Sequence, residues 1–171
     1  MPGNARQWAM REGIFREEMS RPKPIYLDVC ALQRPYDDKS YYRIRLEAAA
    51  VELILTQVKS GMYTMYRSPV HADEIAANMN EVMRLDLQLL LQRSGSSAKP
   101  QIKDADALEA RGWQLAAAGF GIADAFHAAY AEALGADLIS CDDDLLKKCR
   151  RCTIKVWYGT PLDFCQKERL I

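Results

Sequence analysis

Four short strand-like runs, residues 25–29, 62–66, 137–140 and 153–157, are separated by longer stretches with apolar residues at helical spacing. Strands alternating with helices predict a parallel sheet covered on both faces. After the first run and a turn-rich stretch, residues 40–60 carry Ile44, Ala48, Val51, Leu55 and Val58 at helical intervals, with Gly61 as the stop. Ser68 and Pro69 open the next helix as N-cap and first helical residue. It breaks near Asn78-Met79-Asn80 and resumes over residues 81–93. Residues 94–100, rich in Ser and Gly, form the clearest loop. Residues 104–118, 124–134 and 142–151 read as helices. No internal repeat is visible.

A chain of 171 residues supports one domain with a sizeable core. We place that domain at residues 24–171. Residues 1–23 read as an N-terminal extension, disordered or part of an over-long start, since Met19 makes a natural beginning before the first strand. No apolar run approaches the about 18 residues of a membrane span, and the first residues lack the apolar core of a secretory signal. A cytoplasmic protein is expected, and the odd count of 5 Cys fits reduced thiols.

Acidic residues recur where such a sheet would bring them to one edge. Asp28 closes the first strand, Glu74 lies in the helix opened by Ser68, Asp124 sits at a helix start, and Asp142 follows the run 137–140. Ligands of parallel α/β sheets bind beyond the carboxyl ends of the strands. Carboxylates brought together raise one another's pKa, so four at one site call for a counter-charge, with Mg²⁺ or Mn²⁺ as the hard cation expected. Taken singly, Asp28 and Asp142 also read as N-cap or turn aspartates, Glu74 as a surface helix residue, and Glu47 as an exposed or ion-paired one.

The formal net charge is zero, so no global basic field announces nucleic acid. Local basic residues remain: Arg34, Arg43 and Arg45 after the first strand, Arg67 before the Glu74 helix, and the run Lys147, Lys148, Arg150 and Arg151. Arg34, Arg45 and Lys147 are the candidate contacts to substrate phosphates. Arg34 also reads as a brace for the loop after Asp28, and the run as a solvated helix end. Cys149 and Cys152 have the spacing of a zinc or redox pair without a second pair, and read as incidental thiols. His127 borders Asp124 by helical spacing and reads first as a packed or hydrogen-bonded histidine. No phosphate-binding glycine loop is present. A phosphatase-like use of Asp28 as nucleophile expects a second Asp at position 30, where Cys30 stands.

The stretch from Ile25 through Asp28 to Asp38, followed by Arg43-Ile44-Arg45-Leu46-Glu47-Ala48, resembles the opening of a PIN-domain protein. Ile122-Ala123-Asp124-Ala125-Phe126-His127 and Ser140-Cys141-Asp142-Asp143-Asp144 resemble that family's third and fourth acidic motifs, and the tail around Thr160-Pro161-Leu162-Asp163-Phe164 fits as well. The resemblance implies a three-layer α/β/α sandwich with a central, mainly parallel sheet. It implies catalytic, metal-holding carboxylates at Asp28, Glu74, Asp124 and Asp142, with Asp143 assisting the fourth and Ser140 orienting a carboxylate or water. It also implies a Mg²⁺- or Mn²⁺-dependent endoribonuclease leaving a 5′-phosphate and a 3′-hydroxyl, the toxin of a VapBC-type pair. A cognate antitoxin and a homodimer are the implied partners. The alternative is a PIN scaffold that binds RNA or protein without cleaving it.

Overall fold

A computed structural model describes residues 21–171. Of the extension expected at residues 1–23, residues 1–20 fall outside the described residues.

Five strands form one sheet in the order β3-β2-β1-β4-β5, and every pairing is parallel. They are β1 (Lys23–Leu27), β2 (Tyr63–Arg67), β3 (Gly95–Ser97), β4 (Asp137–Ile139) and β5 (Tyr158–Gly159). The helices are α1 (Val29–Gln33), α2 (Tyr42–Lys59), α3 (Pro69–Ala76), α4 (Glu81–Ser94), α5 (Ala105–Ala117), α6 (Ile122–Leu134), α7 (Asp143–Arg151) and α8 (Pro161–Lys167).

Alternation along the strands sends side chains into two separate cores. Ile25 and Leu27 of β1 and Ile139 of β4 join Val51, Ile54, Leu87 and Phe164 on one face. Tyr26 and Leu138 join Leu115, Phe120, Ala125, Ala128 and Leu145 on the other. The buried alanines of α6 let that helix lie close to the sheet. Gly112 is explained the same way, since a Cβ there would sit 2.7 Å from the Phe126 ring. Its place inside α5 reflects close approach to α6, which outweighs its weak helix propensity.

Two strands differ from the sequence expectation. The loop read at residues 94–100 contains β3, whose backbone pairs with β2 from Met65 to Arg67. The last strand lies at Tyr158–Gly159, beyond the run 153–157. Ile154 and Val156 give that run its strand-like composition by packing on the second core. The ladder begins only where Leu138 N–H donates to the Trp157 carbonyl and Ser140 N–H to the Gly159 carbonyl, at 2.8 and 3.0 Å.

The sheet order reverses at β1. The chain first moves outward to β2 and β3, then returns to place β4 on the opposite side of β1. A crevice at the carboxyl ends of β1 and β4 is therefore the topological switch point where α/β sheets bind ligands. Among the described residues no helix is long and apolar enough to cross a membrane.

Candidate functional site

Asp28 follows β1 directly and caps α1, accepting the Ala31 N–H at 2.7 Å. Its own N–H donates to the Ile139 carbonyl at the end of β4, which pins it to the switch point. Ser140 continues β4 and is fully buried. Its hydroxyl accepts the Asp142 N–H at 2.9 Å, and Ser140 counters part of the rise in the Asp28 pKa. Asp142 caps α7 through Oδ1, which accepts from Asp144 and Leu145. Capping and site roles are compatible for both aspartates, because a cap occupies only one carboxylate oxygen.

Asp124 is the third residue of α6 and Glu74 lies in α3. Electrostatic influence links these groups to the first two. Asp28 is only 3 % exposed. Burial pushes its pKa up to about 6 against the opposing influence of His127, Ser140 and the Ala31 N–H, with Asp124 adding to the rise. Asp124 is also raised, by burial and then by Asp142, while Lys148 and His127 oppose and Glu74 adds. Asp124 therefore lies within electrostatic reach of Asp28, Asp142 and Glu74.

The remaining predicted residues have partners of their own. Both oxygens of Asp143 take hydrogen bonds from Arg43 at 2.7 Å. Arg34 is a brace: it pairs with Asp37 and Glu47 at 2.9 Å each and reaches the Cys141 carbonyl at 3.4 Å. Its Nε faces the buried Glu47 without hydrogen-bond alignment. With these partners, the guanidinium serves as the brace, the other reading of Arg34. Glu47, expected to be exposed or ion-paired, is ion-paired and buried between Arg34 and Arg43. Lys147 pairs with Asp144 on the exposed side of α7, whereas its neighbour Lys148 faces Asp124. Arg45 remains exposed, its guanidinium over the Tyr42 ring at 4.6 Å.

Sequence reasoning passed over a buried polar group beneath the acids. Tyr26, Ser68, His71 and His127 meet there, and His127 Nε2 lies 2.5 Å from Glu74 Oε2. Beside Glu74, a cavity of about 330 Å³ is lined by Val29, Cys30, Gln33, Ala77 and Asn78.

Among the described residues, no three His, Cys, Asp or Glu side chains already converge on one metal position. The donors are nevertheless carboxylate oxygens, one of them buried and repelled by its neighbours. That set suits a hard cation which retains several waters and takes few protein ligands.

A family model for the PIN domain matches residues 25–151, a span holding all four acids. The chain belongs to the PIN domain family. Among solved structures, this PIN domain is similar to VapBC2 from Rickettsia felis bound to a DNA fragment from their promoter. The identity is 15%, the TM-score 0.50, and the match covers 80% of this chain and 98% of that one. It is also similar to FitAcB from Neisseria gonorrhoeae at 17% identity and TM-score 0.48, covering 81% and 98%. No curated protein sequence matches.

Proposed function

We propose that this PIN domain is a divalent-metal-dependent endoribonuclease, acting as the toxin of a toxin–antitoxin pair. One observation supports the reading: Asp28 is buried at the switch point with its pKa raised by burial and by Asp124, which is itself raised by burial, Asp142 and Glu74. The paired cations nearby, Arg34 and Arg43, are spent on Asp37, Glu47 and Asp143.

Asp28, Asp124, Asp142 and Glu74 would hold Mg²⁺ or Mn²⁺, whose bound form supplies an acidified water and charge stabilisation at the leaving oxygen. Ser140, whose hydroxyl accepts the Asp142 N–H, would also orient the Asp28 carboxylate, whose pKa it lowers. Asp142 spends Oδ1 on the α7 cap and keeps Oδ2 for the site. Lys148 beside Asp124 is the cation best placed to meet a substrate phosphate, with Arg45 farther out on α2. Such contacts are sequence-independent and salt-sensitive. An RNA substrate, a cognate antitoxin, a homodimer and a cytoplasmic setting complete the proposal, carried by the family resemblance. A small reading frame directly upstream is the expected sign of the antitoxin.

The test is single-stranded RNA incubated with Mn²⁺ or with EDTA, using the wild type and Asp124→Asn. Cleavage that needs the ion and disappears in the variant supports the enzyme. Equal cleavage by the variant refutes it. RNA retained without cleavage in any metal identifies a non-catalytic binding module.

A further inference from the structure

The chain has 2 His residues, and both are buried against one tyrosine. The Tyr26 hydroxyl lies 2.6 Å from Ser68 Oγ, 2.8 Å from His127 Nδ1 and 3.4 Å from His71 Nδ1. With both imidazoles neutral, the chemistry of the partners gives each bond a direction. His71 Nε2 is 2.7 Å from the Leu27 carbonyl, which only accepts, so Nε2 carries the proton. His71 Nδ1 is then free to accept the Ser68 N–H at 3.0 Å. His127 Nε2 faces the Glu74 carboxylate, another pure acceptor, so it too carries a proton. Its Nδ1 accepts from Tyr26, and Tyr26 accepts from Ser68. A single ordered chain results, from Ser68 to Tyr26 to His127 to Glu74.

This chain links the elements that carry the acids. Ser68 caps α3, the helix of Glu74. Tyr26 lies in β1, two residues before Asp28, and His127 lies in α6, three residues after Asp124. Glu74 is the most mobile candidate ligand by type, a long side chain that is 35% exposed. Its only hydrogen-bond partner among the described residues is His127. A packed polar core would need no carboxylate at its end, whereas this one terminates on the acid at the rim of the pocket.

We propose that His127, held in place by Tyr26, is a positioning residue that anchors Glu74 through Oε2 and leaves Oε1 as the oxygen presented to the ion. The inference rests on the metal-site reading above. Outer partners of this kind orient metal ligands, and their loss costs about 10–100-fold in metal affinity.

Mn²⁺ binding, followed by the loss of the free-ion electron paramagnetic resonance signal, tests this apart from activity. Wild type binds. His127→Leu binds about 10-fold or more weakly, Tyr26→Phe shows a smaller loss in the same direction, and His127→Gln, which keeps an N–H donor, recovers most of the affinity. A folded His127→Leu with wild-type affinity overturns the positioning role while leaving the metal site standing. Failure of the wild type to bind Mn²⁺ overturns both. If His127→Leu does not fold, histidine ¹⁵N spectra of the wild type at about pH 8 decide the matter. Both rings show the Nε2–H tautomer, and Mg²⁺ shifts His127 more than His71. An Nδ1–H tautomer for His127, or no response to Mg²⁺, refutes the inference.

Discussion

Asp137 opens β4 and Asp28 closes β1, so two aspartates mark opposite ends of one hydrogen-bonded strand pair. At the amino end, Asp137 and Glu168 face Lys23 and Lys167. Lys23 lies 2.9 Å from Asp137, and Lys167 lies 2.7 Å from Asp137 and 2.8 Å from Glu168. Burial pushes Glu168 up, but hydrogen bonds from Lys167 and Lys23 outweigh it and hold its carboxyl below the usual range. At the carboxyl end the sign reverses: Asp28 and Asp124 both rise, because burial and neighbouring acids outweigh the groups that oppose them. Clustered acids alone therefore identify nothing. The excess of acid over paired cation is what separates a candidate metal site from a structural charge network.

Substitutions at the two ends should part company most clearly in RNA cleavage. Asp28→Asn keeps the α1 cap, since asparagine is an equally good N-cap, and should lower cleavage by about 10³-fold, the several kcal/mol of charge stabilisation that a catalytic ion supplies. Lys23→Met at the amino end should leave the cleavage rate unchanged. If both variants lose activity equally, the contrast between the ends is not functional.

Stability should move in opposite directions. Metal-free Asp28→Asn should melt at a higher temperature than wild type, because it removes a buried, repelled carboxylate. A rise of roughly two pKa units sets an upper limit of about 3 kcal/mol. Lys23→Met should be destabilised by about 1 kcal/mol, since it strips a half-buried network of one cation. Calorimetry of the two variants without metal checks both signs.

The pH dependence follows from the same shift. Asp28 has a folded pKa of about 6, above its unfolded value of about 4. Its cost to stability is present in full above the folded pKa and is relieved as pH falls through that window. Metal-free wild type should therefore gain stability relative to Asp28→Asn between about pH 7 and pH 4, and divalent-ion affinity should fall over the same range as protons compete. Parallel melting curves of the two proteins against pH would contradict the assignment. The smallest expected effect is on α7: Lys148→Ala should weaken RNA binding a few-fold in low salt, and Lys147→Ala should change it little, because Lys147 faces Asp144.

The sequence revealed those parts of the molecule in which local chemistry and fold agree. A parallel sheet followed from strand and helix alternation, and Asp28 and Asp142 stood out because each ends a strand and starts a helix. β3 was illegible because Gly95, Ser96 and Ser97 have little strand propensity and are held by backbone pairing to β2. β5 was misplaced because the apolar run at residues 153–157 marks packing, while the ladder falls on Tyr158 and Gly159. Arg34 and Asp143 looked available to ligands because their partners, Glu47 and Arg43, lie on α2, distant in sequence from one or both. The Tyr26–His127 link joins residues about a hundred positions apart, and no local pattern marks a tyrosine in a buried strand as polar in purpose.

The central claim is that the acids at the carboxyl end of β1 and β4 accept a divalent cation that the balanced amino end does not. Crystals soaked in Mn²⁺ test it most directly through anomalous scattering. A peak is expected among Asp28, Asp124 and Asp142, absent in Asp28→Asn. A wild-type map without density there, or with its Mn²⁺ peak beside Asp137 and Glu168 instead, would contradict it.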